Sequence, residues 1–309
     1  MPIEHASVRV VHKPWGASDL RPWSQIDAAN DAVGELWFER ADKNASSPAL
    51  LLKLLFTNEP LSIQVHPDDT FARATGMPNG KSEAWYIISA KPDAKIGVGL
   101  QNRVTPQALR SAIRDGSIVD LVQWRPVVKG DVVFVPAGTI HALGAGIVLA
   151  EIQQQSDATF RLFDYGRGRE LHEDDGVAVA HSWPLRPAGS PTRLTNERIV
   201  LVASRYFVFE KLDLPAGSSW ALLAEPETWM LVLDGHAAIG LKTVSTGEAV
   251  FASGGRASIE VGADGLTALV AYPAAAPVAS LLQALGEPST GPVSLAPAPE
   301  LSGLSEART

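Results

Sequence analysis

Two histidines, one glutamate and one glutamine stand in three strand-like segments of this chain, and their types are those of ligands to a divalent metal. The segments read SIQVHP at 62–67, GKSEAWY at 80–86 and GDVVFVPAGTIHAL at 130–143. Imidazole nitrogen, carboxylate oxygen and amide oxygen can hold such an ion where no thiolate is present. We therefore predict one metal site, made by Gln64, His66, Glu83 and His141.

The alternation around Gln64 supports this prediction. Residues two apart on a β-strand share a face, so Gln64 and His66 would point the same way, with Ser62 beside them. Ile63 and Val65 would lie on the reverse, apolar face. Burying the polar face without a ligand would cost on the order of a few kcal/mol for each unpaired group. A single negative ligand would leave the site net positive, which suits a Lewis acid that stabilises an anionic intermediate.

A second group of side chains could bind an anion close to this site. Lys81 is two residues before Glu83 and shares its face, Lys53 interrupts the apolar run LLLKLLF, and Arg167 ends the segment TFRLFDYGR. Together with Ser62 they offer a hydroxyl and three cations, the donors that a phosphate dianion requires. The alternative is scattered surface charge, in which Lys53 would extend into water from the edge of a sheet.

The composition excludes several other classes of function. The chain has 309 residues, a net charge of −8 and no basic run, so we expect no binding to nucleic acid. It has no cysteine, which excludes disulfides, thiol catalysis and thiolate metal sites. No apolar run is long enough to span a membrane, and the N-terminal MPIEHASVRVV lacks the pattern of a signal peptide. We expect a cytoplasmic protein that is a monomer or homodimer.

Short apolar runs between turn-forming residues dominate the chain, which is typical of a β-sandwich or barrel. The strands predicted around the candidate site are Ala49–Phe56, Ser62–His66, Glu83–Ile88, Asp131–Val135, Ile147–Gln153 and Phe160–Phe163. Thr105–Gln123 is an exception with a helical pattern. Thr105 would cap a helix that begins with Pro106 and ends at Gly116, and Ser117 would cap a shorter second helix.

The chain is expected to form two β domains. The first would cover residues 1–185 with a helical insert at about 104–125, and the second would cover 195–285. The stretch Ser182–Thr195, rich in Pro, Arg, Gly and Ser, is interpreted as a linker or a long crossing loop. Strand patterns resume from Arg198 to Tyr272, Pro277–Leu285 is predicted to be a short helix, and 286–309 a flexible tail.

A weak internal repeat favours two domains of the same architecture. GDVVFVPAGTIH at 130–141 aligns with GEAVFASGGRAS at 247–258, and EAW at 83–85 aligns with ETW at 227–229. Coincidence is the alternative, since both matches are short. The second copy carries Ser258 in place of His141, so only the first copy would hold a metal.

Several segments in order make the chain similar to type I mannose-6-phosphate isomerase, in the short bacterial form of that family. They are KPWG at 13–16, GELW at 34–37, SIQVHPDD at 62–69, GKSEAWYI at 80–87, PAGTIHAL at 136–143 and EIQQQSDATFRLFDYGR at 151–167. The resemblance covers roughly residues 10–170. It implies an all-β (mainly β) cupin jelly-roll fold of two β-barrel domains with a small helical insert, in which the second domain has no site.

The resemblance also implies roles for individual residues. The predicted metal ligands match the zinc ligands of the family, with other divalent metals possible, and Arg161 matches its active-site arginine. Glu151 matches a pocket carboxylate and Trp15 an aromatic residue near the pocket mouth. Ser62, Lys53, Lys81 and Arg167 stand where the family has phosphate-side or pocket residues, and we count Lys81 among the catalytic candidates too.

The implied reaction converts mannose 6-phosphate and fructose 6-phosphate reversibly through a cis-enediol. Glu151 is one candidate for the base, and water on the metal is another. Glu151 could equally be a carboxylate that only orients its neighbours. The alternatives for the whole protein are another cupin isomerase, acting for example on glucose 6-phosphate with iron, and a non-catalytic sugar-binding or metal-storage cupin.

Overall fold

The computed structural model of this protein describes residues 3–26, 28, 31–185, 189–224 and 227–286. Within these ranges the chain forms three antiparallel β-sheets and a few short helices. The two N-terminal sheets contain β2 (Ser7–Ala17), β3 (Val33–Glu39), β4 (Leu50–Thr57), β5 (Ile63–Val65), β6 (Glu83–Ala90), β7 (Lys95–Leu100), β8 (Val122–Pro126), β9 (Val132–Val135), β10 (His141–Leu143), β11 (Ile147–Gln154) and β12 (Phe160–Phe163).

The third sheet contains the first strand and all the later ones. They are β1 (Ile3–His5), β13 (Thr192–Arg193), β14 (Arg198–Ala203), β15 (Val208–Leu214), β16 (Ser219–Ala224), β17 (Thr228–Ile239), β18 (Lys242–Ser245), β19 (Ala249–Ala252), β20 (Gly255–Tyr272) and β21 (Leu282–Ala284). The α-helices are α1 (Asp69–Ala74), α2 (Pro106–Asp115), α3 (Ile118–Leu121) and α4 (Glu173–Val179). None of the helices in the described ranges is long and apolar enough to cross a bilayer.

The sheets stack so that the candidate site lies between two of them. The central sheet has the strand order β2-β3-β4-β11-β6-β9, and the front sheet has the order β12-β5-β10-β7-β8. Apolar residues of both sheets, Trp85 and Leu143 among them, form one core between them. Helices α2 and α3 cover the other face of the front sheet. The other face of the central sheet packs on the third sheet, which we call the distal sheet and which encloses a core of its own.

This architecture confirms the predicted all-β fold class. The six strands predicted around the site are all present, and each agrees with its predicted bounds to within two residues. They form because their apolar residues alternate or run continuously between turns, as buried antiparallel strands require. The domain bounds remain a prediction.

The helical insert is present but shorter than predicted. The Thr105 hydroxyl accepts a hydrogen bond from Ala108 N, Pro106 begins α2, and Gly116 ends it at φ +82°. Ser117 stands at the start of α3 but makes no side-chain capping bond. Gln123 is not helical, because β8 begins at Val122 and pairs with β7.

The helix predicted over Pro277–Leu285 is wrong. Only a single 3-10 turn forms at Ala279–Leu281, after which the chain continues as β21 and pairs with β16. The buried Arg198 guanidinium donates to the carbonyl oxygens of Val278 and Ala279 at 2.9 and 3.0 Å and holds this turn, and the residues after it use their backbone groups in pairing with β16. Of the predicted tail, residues 287–309 lie outside the described part of the chain.

The internal repeat is visible in the strand pairing, with a shift of one residue. Trp85 pairs with Val133, whereas Trp229 pairs with Phe251, one residue beyond the counterpart of Val133. Residues 83–85 therefore correspond to 228–230 rather than to 227–229. A shift of one residue turns a side chain to the opposite face of a sheet. Trp85 accordingly faces the candidate site, while Trp229 packs between the central and distal sheets.

In this corrected alignment the distal sheet keeps an ion pair but not the metal ligands. One row of paired residues across the central sheet consists of Trp37, Lys53, Glu151 and Trp85. The corresponding row across the distal sheet consists, in the same order, of Val200, Glu210, Val270 and Met230. The counterpart of Glu83 is Thr228. Arg198 and Glu210 thus form a buried pair at the positions of Glu35 and Lys53, with the charges exchanged.

Candidate metal centre and active-site cavity

Three of the four predicted ligands converge in the core between the front and central sheets. His141 begins β10, and its backbone pairs directly with that of Gln64 on β5. His66 follows β5, and Glu83 begins β6 on the facing central sheet. The ligand atoms of His66, Glu83 and His141 all lie within 4.8 Å of one another, and each residue is only 1% exposed.

The spacing of these atoms matches a coordination shell. His66 Nε2 lies 3.3 Å from Glu83 Oε2, and His141 Nε2 lies 3.4 Å from Glu83 Oε1. Ligands bound at about 2.0–2.1 Å to a tetrahedral ion stand about 3.3–3.4 Å apart. With all three ligand atoms within 4.8 Å of one another, the three side chains could close on one divalent ion.

Both imidazoles are held in the tautomer that a metal requires. His66 Nδ1 lies 2.8 Å from Ala158 O, and His141 Nδ1 lies 2.9 Å from Thr139 O. A carbonyl oxygen only accepts, so each Nδ1 carries the proton and each Nε2 keeps its lone pair. Burial and the Lys81 charge lower the pKa of His66 to about 3, which keeps its imidazole neutral.

Gln64 lies beside the three ligands with its amide nitrogen toward them. Gln64 Nε2 lies 3.2 Å from His141 Nε2, and Gln64 Oε1 accepts a hydrogen bond from Ser62 Oγ at 3.2 Å. A half-turn of the amide group would present the oxygen, the atom that binds metals. Gln64 is therefore placed to be a fourth ligand by rotation about one bond.

The segment GKSE is fixed by its backbone, and this fixes Lys81 at the site. Gly80 N donates to Asp69 Oδ1 at 2.9 Å, and Lys81 N donates to Pro67 O at 2.9 Å. A Cβ at Gly80 would lie 2.4 Å from the Asp68 carbonyl carbon, so the close approach requires glycine. Lys81 Nζ then lies 3.0 Å from Glu83 Oε2 and 3.1 Å from His66 Nε2.

The charges of Lys81 and Glu83 stabilise each other. Burial opposes the Lys81 charge, but Glu83 and Glu151 outweigh burial and raise the pKa of Lys81, so it stays a cation. Burial likewise opposes the Glu83 charge, and Lys81 outweighs it and holds the pKa of Glu83 well below its usual range. Glu83 Oε2 nevertheless accepts no well-aligned hydrogen bond. A buried anionic oxygen in this state fits a metal ligand.

A row of alternating charges extends from this centre along the central sheet. Trp85 Nε1 donates to Glu83 Oε1 and to Glu151 Oε2, both at 3.1 Å. Lys53 Nζ lies 3.3 Å from Glu151 and 3.5 Å from Glu35. Burial and the Glu83 charge raise the pKa of Glu151, against the opposing effect of Lys53. Glu151 is thus a carboxylate whose affinity for a proton is enhanced.

These side chains line one polar cavity of about 220 Å³. Most of the predicted site residues meet in the wall of this cavity: Ser62, Gln64, Glu83, His141, Lys53, Lys81, Glu151, Arg161 and Trp15. Trp15 is only 3% exposed and packs into the core behind the cavity. Leu61 and Leu143 supply apolar wall beside the metal ligands.

Two predicted site residues do not line this cavity. His66 lies next to it, with Nε2 3.3 Å from Glu83 Oε2, and Arg167 lies outside it. Its guanidinium donates to Pro60 O and lies 3.2 Å from Asp164 and 3.6 Å from Glu59. Arg169, which the sequence reasoning missed, lines the cavity instead.

Lys13 and Glu35 also line the cavity and were missed. Each stands two residues before a tryptophan on its strand, at Trp15 and Trp37. Because residues two apart share a face, this alternation was a usable signal.

Comparisons with known proteins agree with this geometry. The mannose-6-phosphate isomerase of Streptococcus mutans is 31% identical over 265 residues, which span 74% of this chain and 83% of the relative. A probable mannose-6-phosphate isomerase of Bacillus subtilis is 35% identical over 272 residues, spanning 73% of this chain and 84% of the relative. No family model matches the chain.

Solved structures give the same result at the level of the fold. The crystal structure of the mannose 6-phosphate isomerase from Bacillus subtilis superposes with a TM-score of 0.76 at 25% identity, covering 88% of this chain and 100% of that one. A putative mannosephosphate isomerase from Archaeoglobus fulgidus shares the fold with a TM-score of 0.69. With relatives above 30% identity aligned over most of their length, this chain belongs to the mannose-6-phosphate isomerase family.

Proposed function

We propose that this protein is a metal-dependent aldose-ketose isomerase that interconverts mannose 6-phosphate and fructose 6-phosphate. The observation that carries the proposal is the convergence of His66, Glu83 and His141 at a polar cavity that Glu83, His141 and a second buried carboxylate, Glu151, line. Metal storage alone would not require cations and a second buried carboxylate next to the ligands. The identity of the proposed substrate is inferred from the names of the relatives, which are mannose-6-phosphate isomerases.

We propose Zn²⁺ as the resident ion, held by His66, Glu83 and His141, with Gln64 completing the set. Two neutral imidazoles, one carboxylate and an amide oxygen suit zinc, although other divalent ions accept the same donors. When bound, the ion would supply positive charge that stabilises negative oxygen on the substrate.

The chain's own residues would carry the proton transfer. In the open-chain aldose, Glu151 would take the proton from carbon 2 while the electron pair moves to the carbonyl oxygen, giving a cis-enediolate. The carbon 1 oxygen gains a proton to give the cis-enediol, the carbon 2 hydroxyl loses one, and return of the proton from Glu151 to carbon 1 gives the ketose. The raised pKa of Glu151 favours this role, because a catalytic base works best when its pKa lies near the working pH.

Two cations would assist the same steps from fixed positions. Lys81 stays protonated, so it would act as a charged donor toward the developing oxyanion rather than as a base. Arg161 lines the cavity, and its Nε is buried without a partner, so it has a donor available for substrate. Trp15, Leu61 and Leu143 would exclude water from the enediol.

The test is an assay of the purified protein with mannose 6-phosphate and, separately, glucose 6-phosphate. We expect conversion of mannose 6-phosphate only, loss of activity on chelation and recovery with zinc. Reaction in D₂O should place deuterium at carbon 1 of fructose 6-phosphate. Conversion of glucose 6-phosphate in its place, or binding of sugar phosphate without deuterium exchange, would contradict the proposal.

A further inference from the structure

Two arginines in the loop after β12 differ in what they face, although only Gly168 separates them. Arg167 does not line the cavity, and its guanidinium contacts Pro60 O, Glu59 and Asp164. Arg169 lines the cavity together with Arg161. We propose that Arg169, rather than Arg167, binds the phosphate of the substrate, and that Asp164 is the residue that positions it. This inference rests on the proposed function, which makes the substrate a sugar phosphate.

The loop backbone explains the separation of the two arginines. Tyr165, Gly166 and Gly168 all have positive φ, at 54°, 79° and 72°. Positive φ at these positions bends the chain sharply and removes the alternation that a strand would impose. Side-chain direction in this loop therefore cannot be inferred from spacing.

Asp164 holds Arg169 in a fixed orientation. Arg169 Nε lies 2.8 Å from Asp164 Oδ2, and Arg169 Nη2 lies 2.5 Å from Asp164 Oδ1. This is a two-bond fork on a carboxylate that is only 4% exposed. It uses one edge of the guanidinium, and no partner within the described ranges engages Nη1. A second edge remains for a phosphate oxygen, which arginine can bind with matching geometry.

The distribution of charge in the cavity also favours phosphate binding at Arg169 and Arg161. The lysines of the cavity are each matched by a carboxylate: Lys13 by Glu35, Lys53 by Glu35 and Glu151, and Lys81 by Glu83. Within the part of the chain that the structure describes, Arg161 has no carboxylate partner: its Nη1 donates to the Glu170 carbonyl, and its Nε has no hydrogen-bond partner.

Arg169 adds a second cation close to Arg161. Burial is the largest cause that lowers the pKa of Arg161, and the positive charge of Arg169 is the second largest. Asp157 is the opposing anion on this wall, and it is exposed to solvent. Arg169 is paired with Asp164, so Arg161 and Arg169 have one buried carboxylate between them, whereas the three lysines face three carboxylates. A phosphate dianion would therefore meet excess positive charge at the arginines and neutralised charge at the lysines.

The experiment compares Arg169→Gln with Arg167→Gln, which removes the same charge from the same loop. Inorganic phosphate serves as a competitive inhibitor of mannose 6-phosphate isomerisation. Losing a charge-assisted hydrogen bond should raise both the KM and the inhibition constant of phosphate about 10- to 100-fold in Arg169→Gln. In Arg167→Gln both should change less than about threefold, and metal content should be unchanged in both variants. Equal effects, or a larger effect in Arg167→Gln, would overturn the proposal.

A second variant covers the case in which Arg169→Gln folds poorly. Arg169→Lys keeps the charge but loses the fork, so phosphate inhibition should weaken while metal content and the melting temperature stay at wild-type values. Unchanged phosphate inhibition in this variant would also overturn the proposal. Calorimetric titration of phosphate into the wild type and both glutamine variants tests Arg169 without turnover. If the wild type does not isomerise mannose 6-phosphate, the proposed function fails, and the titration still decides between the two arginines.

Discussion

Replacing Lys53 with methionine tests the row of alternating charges beside the metal centre. The Lys53 ammonium lies between Glu35 and Glu151, and its side chain is only 4% exposed. Methionine keeps much of the length of the side chain and removes the charge. After this substitution, the Glu35 and Glu151 carboxylates would differ in the hydrogen-bond and ion-pair partners that they keep.

The expected magnitude follows from those remaining partners. Glu35 keeps the Trp37 indole N–H at 2.6 Å and the Lys13 ammonium at 3.5 Å. Glu151 keeps the Trp85 indole N–H and the charge of Lys81, which is itself paired with Glu83. One buried carboxylate is therefore left without an ion-pair partner of its own, and breaking such a pair costs about 3–5 kcal/mol of unfolding free energy.

The loss should depend on pH in a defined direction. Burial and Glu83 already raise the pKa of Glu151, and removing Lys53 raises it further. A carboxyl group with a folded pKa above its unfolded value of about 4.3 loses stability as the pH rises from the unfolded toward the folded pKa. The penalty of Lys53→Met should accordingly be larger at pH 8 than at pH 5.

Urea denaturation of the metal-saturated protein measures this effect. The matched control is the double variant Lys53→Met/Glu151→Gln, in which a neutral amide oxygen can still accept from Trp85. We expect the double variant to recover most of the lost unfolding free energy. A loss below about 1 kcal/mol at pH 8, or no recovery in the double variant, would refute the reasoning because a buried unpaired charge costs more than that.

Three further substitutions test other parts of the account. Gln64→Ala should weaken metal binding at least about 10-fold, the effect of removing even an outer partner of a ligand, in a competition titration with a chromogenic chelator; unchanged affinity would exclude Gln64 from the site. Glu210→Gln should lower the unfolding free energy by about 3–5 kcal/mol because Arg198 loses its buried counter-charge, with metal content unchanged; near-wild-type stability on urea denaturation would contradict this. Glu151→Gln should reduce kcat at least about 100-fold with little change in KM, and proton exchange at wild-type rate would exclude it as the base.

The predicted strands and metal ligands were accessible from the sequence because strand geometry is regular. Residues two apart share a face, which placed Gln64 and His66 together, and the apolar run of β4 around Lys53 marked a buried strand. Spacing did not show that Arg167 lies outside the cavity lining, because positive φ at Gly166 and Gly168 redirects the loop.

The helix predicted over Pro277–Leu285 failed for a different reason. The Arg198 side chain, distant in sequence, donates hydrogen bonds to carbonyl oxygens at the start of this segment, and strand β16 pairs with the residues that follow. Short-range patterns do not contain such contacts. The shift of one residue in the internal repeat likewise depends on strand pairing, because identity at the tryptophan favoured an alignment that places Trp229 on the wrong face.

Elemental analysis of the purified wild type and His141→Ala, together with their mannose 6-phosphate isomerase activity, tests whether His66, Glu83 and His141 hold one catalytic metal ion. We expect about one divalent ion per chain in the wild type, with both the ion and the activity lost in the variant, because one of the buried ligands is removed. A His141→Ala protein that retains a full equivalent of metal and normal turnover would contradict the account.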